Sequence, residues 1–122
     1  MNMRGNDHPM VMSASTLIGD NVRNNQGEDL GKLEEIMLDL DSGCIAYAVL
    51  SFGGFLGLGD KLFAIPWEAL TVDTDNEEIV LNVPQERLEN APGFDKDNWP
   101  GAGDREYLVE VYSYYDYEPY WE

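Results

Sequence analysis

The sequence predicts one small all-β domain, a barrel or a sandwich, with short helical segments at its C-terminal end. Between residues 16 and 83, short apolar runs typical of strands alternate with turn residues, and no long helical stripe interrupts them. After Val83 the apolar positions change to helical spacing. The length of 122 residues suits a single domain, and a hydrophobic fraction of 43% is sufficient for a packed core.

The first strands are delimited by turns rich in residues that tolerate positive φ. A run at residues 16–23 leads into the turn Asn-Asn-Gln-Gly at residues 24–27. In the next run, residues 31–40, the apolar positions change parity around residues 34–35. One extra residue in a strand produces such a change, so we expect a β-bulge there. The Asp-Ser-Gly sequence at residues 41–43 predicts a hairpin connection.

The run at residues 44–52 is apolar or small on both faces, so we expect both faces of this strand to be covered. The C-terminal helices are one candidate cover, and a second copy of the chain is the other, which predicts a homodimer. The run at residues 60–67 contains Pro66, which cannot donate to a ladder, so the strand ends there or lies at an edge. Two shorter strands are predicted at residues 71–73 and 78–83.

Beyond Val83 the sequence predicts two short helices joined by a loop. Pro84 opens a helix at residues 85–89, and residues 93–103 are predicted as loop. The next segment has apolar residues at helical spacing, which predicts a helix packed on the sheet. These residues are Leu108, Val111, Tyr112 and Tyr115. The predicted organisation is therefore a flexible lead-in at residues 1–12, a barrel at residues 13–92, and a loop with an aromatic-rich helical tail at residues 93–122.

Charge excludes several classes of partner. The chain has 24 acidic and 7 basic side chains, a formal net charge of −17. The electrostatic field of this net charge repels phosphate backbones and anionic lipid, so we expect no nucleic-acid binding. We expect a protein partner that is basic or locally apolar. No stretch approaches the roughly 18 apolar residues of a membrane span, and the first residues do not resemble a secretory signal. We therefore expect a cytoplasmic protein.

Catalytic and metal-binding constellations are poorly supported. Cys44 and His8 are the single cysteine and the single histidine, so neither a disulfide, a nucleophilic triad nor a zinc site can be drawn. Cys44 is expected to be a small buried residue. The acidic pairs are Glu34-Glu35, Asp73 with Asp75, and Glu77-Glu78.

The acidic turn at residues 73–78 begins like a calcium loop. Glu78 occupies the position that requires glycine, and Pro84 occupies the position of the bidentate glutamate. We interpret this turn as a solvated hairpin turn. The sequence thus predicts no catalytic residue, no cofactor and no metal.

Two apolar groups are candidates for protein interaction. In the glycine-rich loop at residues 53–59 they are Phe55, Leu56 and Leu58. In the tail they are Tyr114, Tyr117, Tyr120 and Trp121. Each group either folds back onto the domain or faces a partner, because exposed apolar clusters mark interaction sites and Tyr and Trp are enriched in interfaces. The tail carries acidic residues where an RNA-stacking surface needs Arg and Lys.

The order of several separated motifs resembles the PRC-barrel family, which takes its name from the cytoplasmic domain of the photosynthetic reaction-centre H subunit. The resemblance runs from residue 14 to residue 67 and continues more loosely to Leu81. Its motifs are LIG (17–19), GEDLG (27–31), DL (39–40), AYAVLS (46–51), GGFLG (53–57) and IPW (65–67). The closing PYW at residues 119–121 looks like the ending of stand-alone bacterial members.

The resemblance implies a small PRC-type β-barrel of about six strands with short C-terminal helical segments, and a non-enzymatic role as an interaction or assembly module. Family analogy points to photosynthetic or ribosome-assembly partners. We expect no transmembrane helix ahead of the barrel and no second domain joined to it, which argues against an H subunit and against a ribosome-maturation factor. The alternative is a small-ligand or metal-responsive carrier that uses the barrel mouth or the acidic turns, and a hydrolase with paired carboxylates is the third hypothesis.

Overall fold

A computed structural model describes residues 11–53, 60–101 and 104–122. Seven strands belong to one sheet, and in chain order they are β1 (Asn21–Arg23), β2 (Asp29–Leu38), β3 (Ile45–Gly53), β4 (Asp60–Ile65), β5 (Leu70–Asp73), β6 (Glu78–Leu81) and β7 (Gly93–Phe94). The helices are α1 (Ala14–Leu17), α2 (Gln85–Glu89) and α3 (Arg105–Tyr114), with a 3₁₀ turn at Trp67–Ala69. The predicted β-rich fold with short helices is confirmed.

The strands are arranged in the order β5-β6-β1-β2-β3-β4-β7. The β1–β6 pair is parallel and the other pairs are antiparallel. Within the described parts of the chain, no ladder joins the two outer strands β5 and β7. The described residues thus contain seven strands where about six were expected, and the pairing among them is not closed.

Two segments differ from the sequence-based prediction. Residues 14–17 form α1 where a strand run was expected to begin, because the bond from Ile18 N to Ala14 O closes a helical turn that buries Leu17. The predicted loop after α2 contains β7, which pairs with β4. Glycine at position 93 permits this approach, since a Cβ there would lie 2.9 Å from the carbonyl oxygen of Leu62.

The turn and the bulge predicted around β2 are both present. Buried Asn24 organises the turn, because its Oδ1 accepts from two backbone N–H groups and its Nδ2 donates to Glu28 and to the carbonyl of Val83. In the β2–β3 ladder the register shifts between Leu33 and Glu35, which confirms the bulge. A second shift lies between Met37 and Leu38, near the tip of this hairpin.

Strand β3 is buried on both faces by the chain itself. Residues 46–52 are all buried, and part of the cover comes from the tail at residues 93–122. The hydroxyl of Tyr112 donates to the carbonyl of Ala46 at 2.5 Å, and that of Tyr47 donates to the carbonyl of Pro100 at 3.1 Å. A second copy of the chain is therefore not needed to cover this strand, and the homodimer stays a prediction.

The C-terminal helix packs as its spacing predicted, with Leu108, Val111, Tyr112 and Tyr115 all buried. Cys44 is a correction, because it is exposed and not buried. It lies in the hairpin turn just before β3 begins, where its N–H donates to Ser42 Oγ at 3.1 Å. Among the described residues, no helix is both long and apolar enough to cross a membrane.

Candidate functional site

A groove of about 410 Å³ lies between the tip of the β2–β3 hairpin and the C-terminal tail, and we call it the hairpin groove. The buried residues Ala46, Tyr47 and Leu108 contribute to its lining. The hairpin contributes Met37, Leu38, Asp39, Leu40 and Asp41, and the tail contributes Pro100, Gly101, Arg105, Tyr120 and Trp121. Two other clefts of similar size present less apolar surface.

The hairpin side of the groove is held by the carboxylate of Asp39. Its Oδ1 accepts from the backbone N–H groups of Asp41 and Ser42, at 3.0 and 3.3 Å. The backbone closes the same turn, because Asp39 N donates to Cys44 O and Gly43 N donates to Asp39 O, both at 2.8 Å. Gly43 adopts a φ of +76°, a conformation that glycine reaches without steric cost. The turn is therefore fixed by local bonds.

Two leucines on this side are exposed. Leu38 is 60% exposed and Leu40 is 89% exposed. The β2–β3 ladder ends at the pair Leu38–Ile45, so no neighbouring strand covers the residues beyond it. Burying a leucine side chain completely is worth roughly 1.5–3 kcal/mol, which makes this pair a potential source of binding energy.

The tail side of the groove is an aromatic cluster. Tyr120 and Trp121 meet edge to face with ring centroids 5.1 Å apart, and each lies 6.2 Å from the ring of buried Tyr112. The guanidinium of Arg105 lies 4.4 Å from the centroid of Trp121, within the range of a cation–π interaction. These contacts fix the two half-buried rings against the sheet and leave their outer surfaces facing the groove.

A hydrogen bond joins the aromatic cluster to the hairpin turn. The hydroxyl of Tyr120 donates to Oδ2 of Asp39 at 2.5 Å, across 81 positions of sequence. This bond, together with the turn amides on Oδ1, lowers the pKa of Asp39, so the carboxylate is ionised at neutral pH. Burial and the same carboxylate raise the pKa of Tyr120 to about 12, which keeps its hydroxyl protonated as a donor.

The predicted interaction residues of the tail separate into two groups. Tyr120 and Trp121 line the hairpin groove. Tyr114 instead pairs with α2, where its hydroxyl donates to the carbonyl of Arg87 at 2.5 Å and its ring lies under that guanidinium. Tyr117 is exposed and lines a different cleft. The predicted loop residues Phe55, Leu56 and Leu58 lie outside the described residues.

Sequence reasoning missed Leu38, Leu40 and Arg105 as parts of a site. The two leucines served to locate the bulge in β2, and Leu40 also belonged to the DL motif at residues 39–40. Their signal was present in the alternation Leu-Asp-Leu-Asp at residues 38–41, which continues an apolar face into the turn, beyond the end of strand pairing. The contact of Arg105 with Trp121 joins two elements of the tail, and its spacing carried no comparable signal.

Two carboxylates of the predicted acidic pairs, Asp73 and Glu78, form ion pairs with one arginine. Arg23 binds Asp73 at 3.2 Å and Glu78 at 2.9 Å. Asp73 also accepts from the backbone and the side chain of Asn76, and these bonds are the main reason that its pKa is lowered. Across residues 11–53, 60–101 and 104–122, no three His, Cys, Asp or Glu side chains form a group able to hold a metal ion.

Comparison with known proteins gave one family. The model of a family described as the PRC-barrel domain matches residues 10–88, which is more than half of the 122-residue chain. A search of curated proteins gave no match. The match includes the hairpin side of the groove and ends before the tail that forms the other side.

Proposed function

Because the chain belongs to the PRC-barrel family, we propose that it is a non-enzymatic protein-binding module and that the hairpin groove is its docking surface. In this proposal the β-sheet is the scaffold of a small cytoplasmic barrel, and the tail completes the binding surface on it. The resemblance to family members that act as assembly modules supports such a role. The identity of the docking surface depends on this chain's own geometry.

The observation that carries the proposal is the exposure of Leu38 and Leu40 beside a fixed aromatic wall. An apolar patch next to packed Tyr and Trp rings has the composition of an interface core. The turn bonds on Asp39 and the ring contacts of Trp121 hold both walls before a partner arrives. A preformed surface loses less conformational entropy on binding, which favours affinity.

The carrier hypothesis has weaker support. A metal-responsive carrier needs converging oxygen, nitrogen or sulfur ligands, and no such cluster occurs in the described parts of the chain. Two carboxylates of the acidic turn, Asp73 and Glu78, are bound to Arg23. A hydrolase would need two carboxylates free to act as acid and base, and of the two in the hairpin groove Asp39 is engaged by Tyr120 and by two backbone N–H groups of its own turn.

The test is binding by a double variant of the exposed leucines, Leu38→Asp with Leu40→Asp. The wild-type chain, immobilised, should capture a protein from cells of its own source, and that protein should then be purified and titrated. We expect its Kd to rise at least about tenfold with the double variant, because a loss of about 1.4 kcal/mol is less than the burial of one leucine supplies.

The matched control is Val11→Asp, since Val11 is 88% exposed and does not line the groove. This control introduces the same charged side chain at similar exposure, and we expect its Kd to stay within about twofold of wild type. Circular dichroism should verify that all variants are folded. A partner that binds the leucine variant as tightly as wild type would show that the hairpin groove is not the docking surface.

A further inference from the structure

The rim of the hairpin groove alternates apolar and acidic side chains. Leu38 and Leu40 are interleaved with Asp39 and Asp41, and all four line the groove. Any segment that covers the two leucines must therefore pass beside both carboxylates. A partner that brought its own carboxylates there would add like-charge repulsion, whereas lysine or arginine would pair with the rim.

The other charged residue that lines the groove, Arg105, brings one positive charge against two carboxylates and so offsets this rim only in part. Its guanidinium lies over the face of Trp121 at 4.4 Å, so part of its surface is already covered. The carboxylate of Asp39 stays ionised because the Tyr120 hydroxyl and two backbone N–H groups donate to it. Asp41 is exposed at the turn, where a partner can reach it.

The field of the whole chain has the same sign. A net charge of −17 attracts basic segments over about one Debye length, roughly 10 Å at 0.1 M salt, and repels a second copy of the chain. Salt therefore affects the two occupants in opposite directions. A basic partner should bind more weakly as salt rises, and a like-charged copy should bind more tightly.

We propose that the occupant of the hairpin groove is a protein segment with one or two large apolar side chains flanked by lysine or arginine. The inference rests on the proposed function, because it assumes that the groove binds protein. It adds the chemical class of the partner. The apolar side chains contact Leu38, Leu40 and the aromatic wall, and the cations lie beside Asp39 and Asp41.

The experiment uses a displayed library of random 12-residue peptides selected on the full chain. Peptides that also bind the Leu38→Asp, Leu40→Asp variant are removed by counter-selection. We expect the surviving peptides to combine Leu, Ile, Phe, Met or Trp with adjacent Lys or Arg. A synthetic peptide of the selected consensus should then lose at least about tenfold in affinity, by fluorescence anisotropy, between 0.05 and 0.5 M salt.

A pair of single variants separates the effect of a rim carboxylate on binding from the effect of the net charge of the chain. Asp41→Asn and Asp95→Asn each remove one exposed carboxylate, and Asp95 does not line the groove. We expect Asp41→Asn to raise the Kd of the consensus peptide by about threefold to tenfold, as for a partly desolvated charge pair, and Asp95→Asn to leave it within about twofold. Equal effects of the two variants would overturn the assignment of the cations to the rim.

The remaining outcomes separate the two proposals. Groove-dependent peptides that lack basic residues, or whose binding is insensitive to salt, would overturn the partner chemistry and leave the docking surface standing. A dimer in sedimentation that tightens with salt and is lost in the leucine variant would assign the groove to a second copy and overturn the basic partner. A selection in which no peptide depends on Leu38 and Leu40 would overturn the proposed function itself.

Discussion

The hydroxyl of Tyr112 anchors the tail to the sheet, and removing it gives a direct measure of that contact. The hydroxyl is buried and donates to the carbonyl of Ala46 at 2.5 Å. The register shift near the hairpin tip leaves Ala46 without a paired residue on β2, and the β3–β4 ladder begins only at Ala48. The tail side chain thus supplies a hydrogen bond to a residue that has no register partner on β2 or β4.

Tyr112→Phe keeps the ring and its contacts with Tyr120 and Trp121, and it leaves the Ala46 carbonyl buried without this donor. Such a loss costs about 1–3 kcal/mol. An unfolding entropy of about 2.1 cal/mol/K per residue gives about 0.26 kcal/mol/K for 122 residues. We therefore expect the Tm to fall by about 4–12 °C. Burial raises the pKa of Tyr112, so the loss should be the same at pH 6 and pH 8.

Urea unfolding and thermal unfolding, both followed by circular dichroism, measure the change. Tyr117→Phe is the control, because Tyr117 is exposed and the same single oxygen is removed. We expect this control to stay within about 0.5 kcal/mol of wild type. If Tyr112→Phe were equally neutral, the hydroxyl would not contribute to docking of the tail, and ring packing alone would hold the tail on β3.

The hairpin and its neighbouring strands give three further predictions. Gly31→Ala should destabilise the fold by about 3 kcal/mol or more in urea unfolding, because its φ is +98° and a Cβ would lie 2.1 Å from a backbone oxygen of β3. Gly43→Ala, with positive φ but open space, should cost only about 1–2 kcal/mol, and equal losses would contradict the clash. The Tyr120 hydrogen bond lowers the pKa of Asp39, so the stabilisation from this carboxylate is present above the unfolded-state pKa of about 4 and is lost as pH falls through the folded value. The urea midpoints of wild type and Asp39→Asn should therefore differ at pH 7 and converge toward pH 3, and a difference that does not change with pH would refute this linkage. Exposed Cys44 should tolerate alanine within about 0.5 kcal/mol by thermal unfolding, and a larger loss would indicate a contact that the structure does not contain.

The sequence by itself determined the features that depend on local periodicity and backbone chemistry. A strand has a period of two residues, so the extra residue near Glu35 was visible as a change in parity. Pro66 ended β4 because it has no N–H to donate. The helical spacing from Leu108 to Tyr115 identified the buried face of α3, since residues three and four apart lie on one side of a helix.

Only the tertiary structure decided which of the apolar residues form a surface. Leu38 and Leu40 are the same residue type as the leucines of the core, so the sequence alone does not distinguish them. They are exposed because the β2–β3 ladder ends before a neighbouring strand can cover them. The bond between Asp39 and Tyr120 joins residues 81 positions apart, and no local pattern specifies such a contact. The hairpin groove exists because the tail folds back onto the hairpin, so its walls come from segments whose proximity is a property of the folded chain.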